Sequence, residues 1–359
     1  MAFANFNYGI LARVAETLSI ATVGALLFIW AGFPAALITG SVLAVAIAAL
    51  AGRPLLIPAP LARAGFVLIG ISLGAVVTPR TLHGIVDWPI SIALISISTI
   101  CMTLGTMSYL RLVHRWDMLS ALFGGSPGGQ AQVIILAAEN GADLRAVVIV
   151  QTVRVVFLTV GIPAGLALFG LAASPTATLG MPTFGASFWE VALLVGVSTF
   201  TALALHWLRF PAGMIFGAML GSGILHGTEI VHAALPWWVA SAAIVMLGAT
   251  TGARFANTPV RMLVAYLGAA LGSFAVAIAI ATLFVLAVAN LAPSRIADLV
   301  VAFSPGAQDT MMVLALSLNI DPVFVGAHQL ARYLIVSLSL PLLAHLIARG
   351  GNTPKKPQF

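Results

Sequence analysis

Charge is what this 359-residue chain has least of: Asp, Glu, Lys and Arg make up 7% of it, against about 25% in soluble domains. That excludes an ordinary soluble fold. Cysteine is scarcer still, and a lone Cys101 excludes an intrachain disulfide framework and a cysteine-based metal centre. The seven histidines are scattered, so no ligand cluster of metal-binding spacing forms. His226, Glu229 and His232 do show H-x-x-E-x-x-H spacing, but in a short expected loop without a further ligand, and no metal is expected there. H-E-x-x-H, P-loop, G-x-G-x-x-G and G-x-S-x-G motifs are absent, and no catalytic triad is evident. The sequence therefore points to no enzyme and no cofactor. The net charge of +6 comes from Lys and Arg spread along the chain without a basic cluster, which excludes nucleic acid as a partner.

What is present in quantity is apolar sequence. Hydrophobic residues make up 61% of the chain, in runs of roughly 20 residues, the length that spans ~30 Å of hydrocarbon. The chain reads as an all-α polytopic membrane protein whose partner is the lipid bilayer. The N-terminus lacks the segment order of a cleaved signal peptide, so the first helix is expected to direct insertion.

The chain also resembles itself. "WAGFPA" at Trp30 to Ala35 returns as "WLRFPA" at Trp207 to Ala212, and the offset then settles at 178 residues. In that register Gly70 and Gly74 match Gly248 and Gly252. Ser126, Pro127, Gly128 and Gln130 match Ser304, Pro305, Gly306 and Gln308, and Asp143, Gln151, Arg154 and Pro163 match Asp321, Gln329, Arg332 and Pro341. Polar, Gly and Pro matches in constant register indicate duplication, a recurring feature of transporters. Repeat 1 covers residues 1–171, a charge-free linker 172–187, repeat 2 188–349 and a polar tail 350–359. Each repeat holds about five spans and one broken segment. The spans of the first run over about 14–32, 33–52, 62–79, 87–111 and 144–170, with the break in 117–140. Those of the second run over about 188–208, 210–226, 237–254, 260–290 and 322–348, with the break in 295–319.

Topology depends on whether each broken segment crosses or returns as a re-entrant hairpin. With a returning hairpin the repeats are inverted, and twelve of the fourteen loop Lys and Arg, Arg63 and Arg254 among them, lie on the cytoplasmic side, with Arg80 and Arg295 opposite. With a crossing segment the split is nine to five. The positive-inside rule favours the hairpin, inverted repeats and cytoplasmic termini. Six of the seven tryptophans, all but Trp116, fall near span ends, where an aromatic belt is expected.

Two arginines, Arg154 and Arg332, remain within the last helix of each repeat. Ten residues into its helix, Arg154 lies about 15 Å deep, near the midplane. There an unpartnered Arg costs at least ~2.5 to 3.5 kcal/mol. Each is read either as part of a paired cationic site for an anionic substrate or as a brace for loop carbonyls or an acidic side chain. "SPGG" and "SPGA" stop one helix and let another start near Gly128 and Gly306. Two half-helix N-termini, with their partial positive charge and free N–H groups, would then approach one another at the midplane. The expected substrate-binding set is Ser126, Gly128, Gly129, Gln130, Gln151 and Arg154 with Ser304, Gly306, Gln308, Gln329 and Arg332. Gln151 and Gln329 lie on the same helical face as their Arg. Asp309 has no repeat-mate, its counterpart being Ala131. It is a candidate site for a proton or sodium ion, or the counter-ion of an arginine. Asp143 and Asp321 read as helix N-caps.

"GGSPGGQAQVIILAAENGADLRAVVIVQTVRVVFLTVGIP" and "FSPGAQDTMMVLALSLNIDPVFVGAHQLARYLIVSLSLP", with the two W-x-x-F-P-A stretches, resemble the duplicated AbrB-type membrane protein family over nearly the whole chain. Members carry labels as ammonia monooxygenases or as regulators of gene expression, and the resemblance implies a bacterial inner-membrane protein. The family pattern places an acidic residue soon after P-G-G, where this chain has Gln132 in the first repeat and Asp309 in the second. The scattered histidines give the monooxygenase label no support, and no basic or helix-turn-helix module stands ready for direct transcriptional control. The function expected is a secondary transporter or exporter of a small anionic organic solute, working by alternating access at a midplane site between inverted repeats. A non-transporting membrane sensor or regulator that binds a small ligand in the same pocket is the alternative.

Overall fold

A computed structural model describes residues 2–77, 88–171, 188–256, 258–292 and 294–350. The linker 172–187, Arg80 and residues 351–359 of the tail lie outside the described residues. Among those described, the chain folds into fourteen α-helices and no strand. The first repeat supplies α1 (Ala2–Trp30), α2 (Ala36–Leu50), α3 (Ala59–Gly74), α4 (Pro89–His114), α5 (Met118–Gly125), α6 (Gln130–Glu139) and α7 (Leu144–Leu168). The second supplies α8 (Phe188–Trp207), α9 (Gly213–Gly227), α10 (Trp237–Gly252), α11 (Val260–Leu291), α12 (Ile296–Phe303), α13 (Gln308–Ser317) and α14 (Pro322–Gly350). A 3-10 turn, Ala253–Phe255, extends α10.

Among the described residues seven helices are long and apolar enough to cross a bilayer, which makes this a multi-pass membrane protein. That is fewer than five clear spans per repeat: α2, α3 and α9 have 15, 16 and 15 residues. They reach only about 22 to 24 Å of the ~30 Å core. Their brevity is set by what bounds them. The W-x-x-F-P-A turns put Ala35 and Ala212 in the same left-handed conformation, φ 51° and 47°, fixing the starts of α2 and α9. Pro58, with a further proline in the first turn, sets the start of α3.

The broken segments are hairpins. At 8 and 10 residues, α5 and α6 reach about 12 and 15 Å, too short to cross. The base of the hairpin is closed: the Asp143 N–H donates to Ser120 Oγ at 2.8 Å, so the chain leaves where it entered. The repeat-mates close the second hairpin, with the Asp321 N–H donating to Asp298 Oδ1 at 3.4 Å. Arg295 holds Asp298 through two hydrogen bonds of 3.0 and 2.8 Å, and these raise the pKa of the Arg295 guanidinium. Asp143 and Asp321 also cap the helices that follow, accepting from the N–H groups of Arg145 and Ala146 and of Val323 and Phe324. Burial pushes the Asp321 carboxyl up from its usual range.

The two bases lie at opposite ends of α11. Tyr266, near its start, donates to Asp143 Oδ2 at 3.3 Å, whereas Arg295 just follows its end. The tips meet, for Gly128 and Gly306 line the same small void.

The helices sort into two packed groups that cut across the repeats. One is a panel of α1, α2, α3, α8, α9 and α10. The other is a body made of the hairpins with α4, α7, α11 and α14. Within the panel the repeats interlock through paired glycines of the small-x-x-x-small kind. Gly70 and Gly74 of α3 lie against α9, and Gly248 and Gly252 of α10 lie against α2. A Cβ added at Gly252 would sit 2.7 Å from the Val42 carbonyl oxygen and 2.8 Å from Val45 Cβ.

Of the tryptophans placed at span ends, Trp30, Trp189, Trp207, Trp237 and Trp238 are exposed, as a belt requires. Trp88 is a correction. It is buried, edge-on to Phe324 with ring centroids 5.5 Å apart, because α4 begins beneath α14 rather than facing lipid.

Gly252→Leu forces α10 away from backbone it cannot displace, so we expect a lower unfolding temperature in detergent, with a cost of about 3 kcal/mol or more. Gly196→Leu, with no heavy atom within 4 Å of its added Cβ, should leave that temperature nearly unchanged.

Candidate functional site

At the hairpin tips the sequence abandons helix in the buried interior, so backbone carbonyls there need partners. In the first repeat Arg154 supplies them. Its Nη1 donates to the Gly125 carbonyl at 3.2 Å and its Nη2 to the Ser126 carbonyl at 2.8 Å. Gln151 supports it, its Oε1 accepting from Arg154 Nη2 at 2.6 Å and its Nε2 donating to the carbonyls of Phe123 and Ser126 at 2.9 and 3.1 Å. The second repeat uses the mates. Arg332 donates from Nη1 to the Ser304 carbonyl and from Nη2 to the Ala302 carbonyl at 3.0 Å, while Gln329 Nε2 reaches the carbonyls of Val301 and Ala302. Both arginines are buried, at 3% and 0% exposure. Among the described residues neither faces a carboxylate, and the Nε of each is buried without a partner.

The carbonyls they hold are the C-terminal ends of α5 and α12, where a helix carries partial negative charge. Ser126, Gln151, Arg154, Ser304, Gln329 and Arg332 thus serve as the brace that holds the tips. The two breaks differ in conformation. Gly128 and Gly129 are left-handed, φ 85° and 59°, whereas Ala307 is extended, φ −72°, which is why alanine is tolerated where the first repeat has glycine. A Cβ at Gly128 would also lie 3.3 Å from Arg332 Cδ, so the second repeat's arginine runs beneath the first repeat's tip.

The N-terminal sides of the breaks face open space. A cavity of about 430 Å³ separates the panel from the hairpin body. Gly129, Gln130, Gln132, Ala307, Gln308, Asp309 and Tyr333 form the body wall. The panel wall carries Arg63 and Phe66 of α3, His206 and Phe210, the start of α9 from Gly213 to Ile215, and Arg254. Each wall draws on both repeats, so the cavity does not lie between one repeat and the other. Neither α6 nor α13 has a side-chain cap from the residue before it, and their first-turn N–H groups have no backbone partner within the helix, although Asp309 takes that of Thr310.

Arg254 bridges the walls, donating to Gln130 Oε1 and, at 3.5 Å, to Asp309 Oδ2. Arg254 and Asp309 both keep solvent contact, with 30% and 20% of their side chains exposed. Asp309 Oδ1 accepts the Thr310 N–H at 3.0 Å. Gln130 Nε2 donates to Thr152 Oγ1 at 3.2 Å, and Gln308 Nε2 to the Gln329 carbonyl at 3.0 Å.

Of the expected substrate-binding set, then, Gly129, Gln130 and Gln308 line the cavity, as does Asp309. Gly128 and Gly306 line the small void at the tips, together with Gln130, Gln151 and Arg154. The sequence reading missed Arg63, Arg254, Phe66, Phe210 and Tyr333. It took Arg63 and Arg254 as topology determinants, whereas Arg254 turns inward from the 3-10 turn that ends α10. A signal was available: like Asp309, both arginines break the repeat, their mates being Ser241 and Val76. Elsewhere, His226 lies in the last turn of α9 rather than in a loop, and its ring bridges the carbonyls of Ser222 in that helix and Ala233 beyond it. A larger groove between α4, α5 and α14 is walled mainly by leucine and methionine and lies away from the tips.

The model of a family described as transition state regulatory protein AbrB matches residues 37–348, from α2 through both hairpins to α14. The chain belongs to the AbrB family. It is 28% identical over 301 residues to "Uncharacterized protein YhjN" of Bacillus subtilis (strain 168), covering 79% of this chain and 78% of the relative. To "Putative regulator AbrB" of Escherichia coli (strain K12) it is 25% identical over 329 residues, covering 89% and 92%. No solved structure matches. For this AbrB-family chain the hairpins, their brace and the cavity all fall inside the matched region.

Replacing Arg332 with glutamine leaves carbonyls of α12 unpaired in a buried site, and the expected loss of stability is about 3 to 5 kcal/mol. Arg254→Gln, in a half-open cavity, should cost less than about 1 kcal/mol. Thermal unfolding of the two purified variants checks the contrast; equal effects would remove the division between brace and cavity.

Proposed function

We propose that this protein is a secondary transporter or exporter of a small organic anion in the bacterial inner membrane. In this reading both termini are cytoplasmic and the two repeats are inverted. The observation that carries the proposal is the cavity between panel and hairpin body, where two arginines and two half-helix N-termini converge beside a single acid. The twelve-to-two charge split, together with hairpin bases at opposite ends of α11 and tips that meet, supports the inverted arrangement.

The anion replaces Asp309 and Gln130 as the partner of Arg254 and takes N–H groups from the start of α6. Arg154 and Arg332 contribute their field rather than contacts, since their charges are answered only by carbonyl dipoles. Arg63 and Arg254 are among the cations counted on the cytoplasmic side, so in this reading the cavity opens inward. Alternating access is a shift of the hairpin body against the glycine-locked panel, which carries the bound anion past the tips. Asp309, released from Arg254, takes a proton or a sodium ion and couples the step.

The name of the Escherichia coli relative favours a second reading, in which the same cavity senses a ligand and passes its occupancy on without flux. Proteoliposomes loaded with labelled carboxylates separate the two. Transport predicts flux that falls at least ~10-fold in Arg254→Ala, the scale of one lost charged contact, and that loses its dependence on a proton or sodium gradient in Asp309→Asn. Saturable binding with no flux selects the sensor, and flux indifferent to Arg254→Ala removes this cavity from the transport path.

A further inference from the structure

The cavity walls are chemically unlike, and that difference constrains what fills them. Charge and hydrogen-bonding groups gather at one end, where Arg254, Gln130, Gln308 and Asp309 meet the tips. The panel wall, which carries Arg254 with Arg63 and His206, also presents an apolar set that the body wall lacks: Phe66, Phe210, Met214 and Ile215. These side chains are anchored. Phe210 stands edge-on to Phe216 with ring centroids 6.2 Å apart, Ile215 is 1% exposed, and Phe66 and Phe216 pack on the main hydrophobic core. An apolar surface held rigidly beside a charged end is preorganised for a ligand of the same two-part character.

From this geometry we infer that the ligand is an amphipathic carboxylate, with one charged head and a compact apolar body. The inference rests on the reading of the cavity as an anion site and narrows it. The head takes Arg254, with Arg63 completing the charge, and the body lies against Phe66 and Phe210. Acetate or inorganic phosphate would satisfy the arginines and leave the apolar wall wet. A dicarboxylate such as succinate would set its second charge against a phenyl ring. Each methylene removed from water is worth roughly fourfold in affinity, so even a partly enclosed phenyl group gives a measurable preference. At about 430 Å³ the cavity lies toward the small end of the ~300 to 1,000 Å³ range of ligand sites, which suits a single ring or a short chain.

The test is isothermal titration of the purified full-length protein in lipid nanodiscs with five probes: 3-phenylpropanoate, its uncharged amide, acetate, succinate and inorganic phosphate. We expect 3-phenylpropanoate to bind at least ~10-fold more tightly than each of the other four. Phe210→Ala should lower its affinity at least ~5-fold and leave acetate unchanged, with Phe66→Ala as the second variant should the first not fold. Arg254→Gln should erase the preference for the carboxylate over its amide. Acetate, succinate or phosphate binding as tightly as 3-phenylpropanoate overturns the amphipathic class while leaving the anion site standing. Binding of the amide as tightly as the carboxylate, or of no probe at all, overturns the anion site and this inference with it.

Discussion

Inside a bilayer a backbone carbonyl that leaves the helix must find a donor within the protein, and the rest of this structure follows from how that demand is met at two hairpin tips. The donor chosen is arginine. A guanidinium offers five N–H groups in a planar fork, enough to gather carbonyls that point in different directions at the end of a short helix. Burying it would be prohibitive alone, but the helix end it caps carries opposing partial charge and the glutamine three residues earlier accepts one more N–H. The tips are therefore fixed from behind, by α7 and α14. Their front faces, the starts of α6 and α13, are left open toward the panel.

That division explains which parts of the chain were legible in advance. Helix positions, the two breaks and the burial of Arg154 follow from apolar run length, from Pro and Gly, and from the cost of an exposed charge among apolar helices. Duplication revealed the brace, because a structural need that arises twice is met twice with the same residues. The cavity arises once, at the junction of two unlike walls, and nothing in a repeat marks it. Arg254, Arg63, Asp309 and Tyr333 stand opposite Val76, Ser241, Ala131 and Val155 in the repeat register. Departures from symmetry carried the information that matches could not. Charge counting also hid Arg254, since position in a loop does not reveal that a 3-10 turn aims the side chain inward.

Symmetry and asymmetry thus have separate tasks. Matched glycines lock the panel and matched arginines fix the tips, giving two rigid groups. Unmatched charges span the gap between them, through an Arg254–Asp309 pair that is long, at 3.5 Å, and partly exposed and therefore weak. Strong interactions lie within each group, and the Arg254 contacts with Gln130 and Asp309 cross the cavity. A ligand that competes for Arg254 meets only a modest opposing energy, while the clamps that shape its site are too deep for it to disturb.

The brace also has a bearing on how the protein is made. Each arginine lies 28 to 30 residues after the carbonyls it holds, so every hairpin has emerged from the ribosome before its clamp does. The arginine-bearing helix thus meets its ligands already synthesised, close in sequence and cheap to reach in loop entropy. Each hairpin and its following helix form a unit that can neutralise its own buried charge locally, the first before the panel has its second half and the second after it. Biogenesis then reduces to two local closures and one long-range docking step.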